Sequence, residues 1–207
     1  MSFLTGTQAE LLYSMPASGS AVTAAVITVM SGSTAANPAY ALPANFFSPQ
    51  TGTTPGKALL LKGGGSWATP TATRTTAFTV GLDTTAGTLG ITLAKTGTLT
   101  TVVQATAAAF DFEVMVTMTA QGVGATAGTL NAVGWVEYGI ANNAATGAFG
   151  TMSFAGNNAS RFMIGTPQTA VTFNTLTSYY LEVFNTWDAT TNAPTTTLTN
   201  FYVFGLN

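Results

Sequence analysis

The 207-residue chain contains no histidine and no cysteine. The first absence removes imidazole as ligand and general base. The second removes thiolate ligands, thiol nucleophiles and disulfides. Together they exclude His/Cys metal centres, zinc fingers, haem and iron–sulfur sites, and a Ser-His-Asp triad. No cofactor is expected. Charge is nearly as scarce: Asp, Glu, Lys and Arg make up 6% of the residues, against about 25% in an ordinary soluble domain. Five basic residues cannot neutralise much phosphate backbone, which argues against nucleic acid as a partner. Long apolar runs are missing too. The longest apolar-leaning one, Ala21 to Met30, is too short to span a bilayer. Met1 to Thr5 lacks a basic n-region and an apolar h-region, so neither a secretory leader nor a membrane span is expected.

What is present is small and hydroxylated. The chain has 41 Thr, 33 Ala and 22 Gly, close to half of it. A hydrophobic fraction of 46% with 11% aromatics is enough to build a core. The surface must then be wetted by hydroxyls and amides. With a net charge of -2, long-range repulsion is weak and association is favoured. The composition suits a protein of an oligomer or lattice; a monomer from an organism that uses Ala and Thr heavily is the plainer alternative.

Helix signals are weak, because Thr and Gly are poor helix formers and no long i, i+3, i+4, i+7 pattern occurs. Strand signals recur. Ala58 to Leu61 reads as a strand buried on both faces, bounded by Pro55-Gly56 and by Gly63-Gly64-Gly65. Phe78, Val80 and Leu82 alternate with small residues, as do Leu89, Ile91 and Leu93, and Leu99 to Gln104 is β-branched. From Phe110 to Thr119, Phe110, Phe112, Val114, Val116 and Met118 share one face, and Asp111, Glu113, Met115, Thr117 and Thr119 the other. Leu130 to Ile140, Tyr179 to Trp187 and Thr197 to Leu206 follow. Turn clusters at 83–87, 122–128, 141–150 and 189–194 separate these runs. No repeat of fixed period occurs, which argues against a solenoid. The expected fold is all-β: an antiparallel, jelly-roll-like β-sandwich over residues 51–207.

Residues 1–50 differ. They are rich in Ala, Ser and Pro, with one strand expected within Val22 to Met30, and Asn37-Pro38, Leu42-Pro43 and Ser48-Pro49 force extended or turn geometry. They read as an extended arm lying on a neighbouring subunit, with Leu11, Leu12, Tyr13, Phe46 and Phe47 as anchors. The alternative is that these side chains fill the domain's own core. Phe201, Tyr202 and Phe204 lie in a stretch apolar on both faces, which places it centrally in a sheet or in a subunit contact.

Motifs for chemistry are few. Gly52 to Ala58 has a phosphate loop's outline but is one residue short between its glycines, and Ala58 stands where a Ser or Thr must hold magnesium. Gly63-Gly64-Gly65 reads as a turn or a close-packing site. Asp111 and Glu113, two apart on one strand face, have the roughly 7 Å separation of a glycosidase pair, but an amphipathic strand's solvated face explains them more simply. No Asp-rich calcium loop accompanies them. Asn158-Ala159-Ser160 is a glycosylation sequon by pattern only. Trp67, Trp135 and Trp187 are either core residues or sugar-stacking platforms. Trp67 and Trp187 with Asp188 lie near expected loops, and form the candidate glycan contact.

The stretch Leu42-Pro43-Ala44-Asn45-Phe46-Phe47, then Gly56-Lys57-Ala58-Leu59-Leu60-Leu61-Lys62-Gly63-Gly64-Gly65, Trp67-Ala68-Thr69-Pro70 and Phe78-Thr79-Val80-Gly81-Leu82, resembles a group of Thr/Ala/Gly-rich virion structural proteins from tailed phages of actinobacteria. These are head decoration or minor tail proteins. Leu181, Trp187, Asn192 and Phe201 to Leu206 also look like that group's last two strands. The resemblance spans roughly Leu42 to Asn207 and brings no catalytic signature. It implies a jelly-roll-like sandwich on a particle surface, as a homotrimer bound to the major capsid protein. The expected function is a non-enzymatic capsid decoration protein, made in the host cytoplasm. The alternative is a minor tail or tail-tip protein binding host cell-surface glycan.

Overall fold

A computed structural model of the chain describes residues 9–32, 34–47, 57–121, 128–139, 153–154, 157–158, 161–165 and 171–206. The phosphate-loop-like run before Lys57, Ser48-Pro49, the turns at 122–127 and 141–150, Ile140 and the last two residues of the sequon lie outside them. Every regular element among the described residues is a strand. These are β1 (Ala9–Ser14), β2 (Thr28–Val29), β3 (Tyr40–Leu42), β4 (Ala58–Thr69), β5 (Thr75–Asp83), β6 (Ile91–Lys95), β7 (Leu99–Thr100), β8 (Gln104–Gln121), β9 (Gly128–Tyr138), β10 (Ser153–Phe154), β11 (Asn157–Asn158), β12 (Arg161–Gly165), β13 (Val171–Phe173), β14 (Tyr179–Trp187) and β15 (Thr195–Leu206). The protein is all-β and antiparallel, as its alternating runs require.

The sheet runs in the order β1-β15-β4-β8-β9-β12-β6-β5-β14-β2 and doubles back on itself. Phe78 of β5 lies 4.7 Å from Phe112 of β8, ring centroid to centroid, although the two strands are not sheet neighbours. Strands β1, β15, β4, β8 and β9 therefore form one layer of a sandwich, and β6, β5, β14 and β2 the other. The antiparallel ribbon β15–β4 of the first layer continues as the ribbon β14–β5 of the second, bent over at residues 70–74 and 188–194. Asn192 and Ala193 take φ values of 65° and 43° in that second bend. Asn is a side chain that tolerates the left-handed region.

Both long edges are joined. On one side β12 pairs with β9 and touches β6 at Gly165 and Lys95. On the other, residues 15–30 run as a strap between the layers. Met15 and Gly19 donate to Phe201 and Leu198 of β15, and Val22 bridges Thr196. The Trp187 N–H donates to Ala24, and Met30 donates to Val183 of β14.

This corrects the expected division at residue 50. Within the chain, residues 9–32 and 34–47 are part of the sandwich. Strand β1 pairs with β15, β3 with β14, and Met15, Val22, Met30, Leu42 and Phe47 are buried in the common core. The expected strand in Val22 to Met30 reduces to one bridge and β2. An extended arm would leave the β14–β15 seam uncovered, and backbone hydrogen bonding to both strands holds the segment there instead.

Strand β4 is also corrected. It continues through Gly63-Gly64-Gly65 to Thr69, and from Ala58 to Lys62 it alternates in burial rather than being buried on both faces. A Cβ at Gly63 would lie 2.7 Å from the Phe112 ring, and one at Gly65 would strike the Thr197 carbonyl. The glycines are close-packing sites. Leu89 precedes β6, and the stretch from Leu99 to Gln104 splits into β7 and the start of β8.

Candidate functional site

The outer face of the first layer carries exposed apolar side chains beside both ion pairs of the described residues. Its side chains come from the outward phase of each strand, and strand register lines them into rows. One row is apolar throughout: Leu11 of β1, Phe204 of β15, Leu60 of β4, Met115 of β8 and Val133 of β9. Leu11 is 54%, Met115 41% and Val133 48% exposed. The next row is Tyr202, Lys62, Glu113, Trp135 and Met163. Met163 is the most exposed large apolar side chain of the described residues, at 72%.

A third row is Asn200, Gly64, Asp111, Glu137 and Arg161. Because Gly64 carries no side chain, the row contains a groove of about 400 Å³ bordered by Asp111, Glu137, Thr199 and Asn200. Thr199 donates to the Gly64 carbonyl. Burial pushes the Asp111 carboxyl up, Glu137 adds to this, and Arg161 opposes it. Two ion pairs, Lys62–Glu113 and Arg161–Glu137, each 2.7 Å, tie neighbouring strands together. The Arg161 guanidinium also lies 4.3 Å from the Trp135 ring centre. The expected solvated face of Asp111 and Glu113 is what the strand presents, with Glu113 held by Lys62.

Of the expected contact residues, Leu11, Tyr202 and Phe204 come together on this face. Leu12 and Tyr13 are half-buried, packed against the core, with Tyr13 6.0 Å from Phe201. Phe46 is half-buried against Phe47, 5.2 Å away. Phe47 and Phe201 are corrected as partner contacts: they are 2% and 0% exposed, inside the chain's own core. Trp67 and Trp187 are corrected as glycan contacts for the same reason, at 0% and 1% exposure. Both sit at inward positions where the ribbon bends. The Trp67 indole N–H donates to the Gly139 carbonyl at 2.9 Å, and its ring meets Tyr138 edge-on. Asp188 is exposed but has no open indole beside it. Leu60, Met115, Val133 and Met163 were missed as surface groups. The signal that marks them is an apolar residue at the polar phase of an alternating strand, visible for Met115 beside Asp111 and Glu113.

No family model, no curated protein and no solved structure matches this chain.

Proposed function

We propose that the chain is a non-enzymatic structural protein of a tailed-phage particle, most economically a capsid decoration protein that stabilises the head. The observation carrying this reading is the apolar row from Leu11 to Val133, lying on a face whose two ion pairs are already satisfied internally. Such a face gains more from a partner surface than from water, and large exposed apolar patches on sandwich domains mark docking sites. The partner is the major capsid protein, with copies of this chain clustered as a trimer around it, following the resemblance to virion proteins. A tail-tip glycan binder is the rival. Its Trp67 and Trp187 platforms are closed, so the Gly64 groove would have to serve it.

Immunogold labelling of particles with antibody to this chain separates the two: heads for decoration, tail tips for the rival. Docking through apolar contact is little screened by salt. Particle-bound protein should therefore stay bound when NaCl is raised from low salt to about 1 M. Release across that range, followed by sedimentation, would overturn apolar docking.

A further inference from the structure

Glu182 is the one charged side chain of the described residues that is wholly buried. It lies on β14 opposite Gly81, on the outward side of the second layer, yet it never reaches water. Two elements cover it. The turn after β5 delivers the Gly87 N–H, which donates to Glu182 Oε2 at 2.7 Å. Gly87 reaches this position with φ 81°, a left-handed conformation open to glycine. Gly32 and Ala39, which continue the strap, lie over the other oxygen. A Cβ added at Gly32 would stand 3.0 Å from Glu182 Oε1 and 2.9 Å from the Ala39 Cα. Glu182 Oε1 itself is buried and accepts no hydrogen bond.

Among the described residues no cation offsets this carboxylate. Residues 11–56 hold no Lys, Arg, Asp or Glu at all, and neither do residues 84–94. The titratable groups coupled to Glu182 are Asp83, at the end of β5, which raises it, and Tyr13, from β1, whose hydroxyl Glu182 itself pushes up. The first is a like charge and the second is neutral below alkaline pH.

We infer that Glu182 is an acid-tightened clasp: protonated, it lets the strap and the turn at 84–88 close over β14, and ionised, it loosens both. The physical cause is the cost of a buried charge with one oxygen unsatisfied, which protonation removes. Burial pushes the Glu182 carboxyl above its ordinary value; the Gly87 N–H opposes it less strongly, and Asp83 adds a smaller push upward. A group raised in the folded state adds stability below its unfolded value and loses it as pH rises through the folded one. The strap should therefore be tightest in mild acid and weaken from the ordinary glutamate range upward. Asp83 is held below its ordinary value, chiefly by the Thr85 N–H, and stays ionised throughout that window.

Native-state hydrogen exchange on the full chain tests this at about pH 5 and about pH 8, with rates corrected for intrinsic chemistry. The amides to follow are Met30, which donates to Val183, and Gly87. Their protection should fall about threefold or more toward pH 8, while the Val114 amide in β8 stays level. In Glu182→Gln, which keeps the shape and removes the charge, the fall should vanish. Equal pH dependence in wild type and Glu182→Gln overturns the clasp. If the variant does not fold, the wild-type comparison decides alone: protection of Met30 and Gly87 that is flat, or that tracks Val114, overturns it equally.

Discussion

Gly65 and Gly97 differ in what surrounds them, and a methyl group at each reads out the difference. At Gly65 a Cβ would strike the Thr197 carbonyl and lie 2.9 Å from the Leu198 Cα, both backbone and unable to move aside without parting β4 from β15. At Gly97 there is nothing within 4 Å. Gly65→Ala should lose about 2 kcal/mol or more by overpacking. Gly97→Ala should be neutral or gain about 0.4–1 kcal/mol by restricting the unfolded chain. Urea midpoints of the two variants, at unchanged slope, check both. The sequence marks both positions with the same letter. Only the distance to the neighbouring backbone separates a required glycine from a dispensable one.

Strand β8 shows how alternation translates into energy. Phe112 is 2% exposed and stands between Phe78 of the facing layer and Phe201 of β15. Met115, three residues on, is 41% exposed on the outer face. Phe112→Ala should cost about 3–5 kcal/mol, the range for emptying a well-packed aromatic site. Met115→Ala should cost less than about 1 kcal/mol. Denaturant titration of both variants tests whether the layer contact sits where the rings place it. This strand was legible in sequence because its two faces differ in chemistry over ten residues. Strand β4 was legible only in part. Its apolar stretch was clear, but three successive glycines hide alternation, since a residue without a side chain has no phase to read. Their role in the strand is enforced by pairing with β15 and β8 on either side.

At the scale of the whole molecule, the proposed docking face and the fold are separable. Met115 and Val133 are directly paired across β8 and β9, outward and half-exposed. Replacing both with Lys leaves the core untouched and adds charge to the apolar row. The double variant should keep the wild-type melting temperature to within a few degrees, about the effect of a surface change. On the proposed reading it should no longer bind phage particles stripped of this protein, because desolvating two lysines against an apolar partner costs more than the contact returns. Full binding by the folded double variant would move the docking surface elsewhere.

The amino-acid sequence by itself determined the class: with alternating apolar residues, poor helix formers and glycine-rich turns, an antiparallel all-β protein is the arrangement that buries those faces. It also determined what chemistry is missing, because absent His and Cys are absent from every fold. It did not decide which side of each amphipathic position a partner meets. Of the stretch read as an arm, residues 15–30 form the seam of the sandwich, a choice made by unpaired backbone groups on β14 and β15 rather than by any local pattern. Trp67 and Trp187 lie near expected loops in sequence, yet they are core, and Trp135 is the indole that faces out under Arg161. Nothing in the local sequence sets Glu182 apart, yet it is buried. Local sequence sets the period of a strand, but burial depends on what crosses above it, and that is fixed only when segments distant in the chain come together.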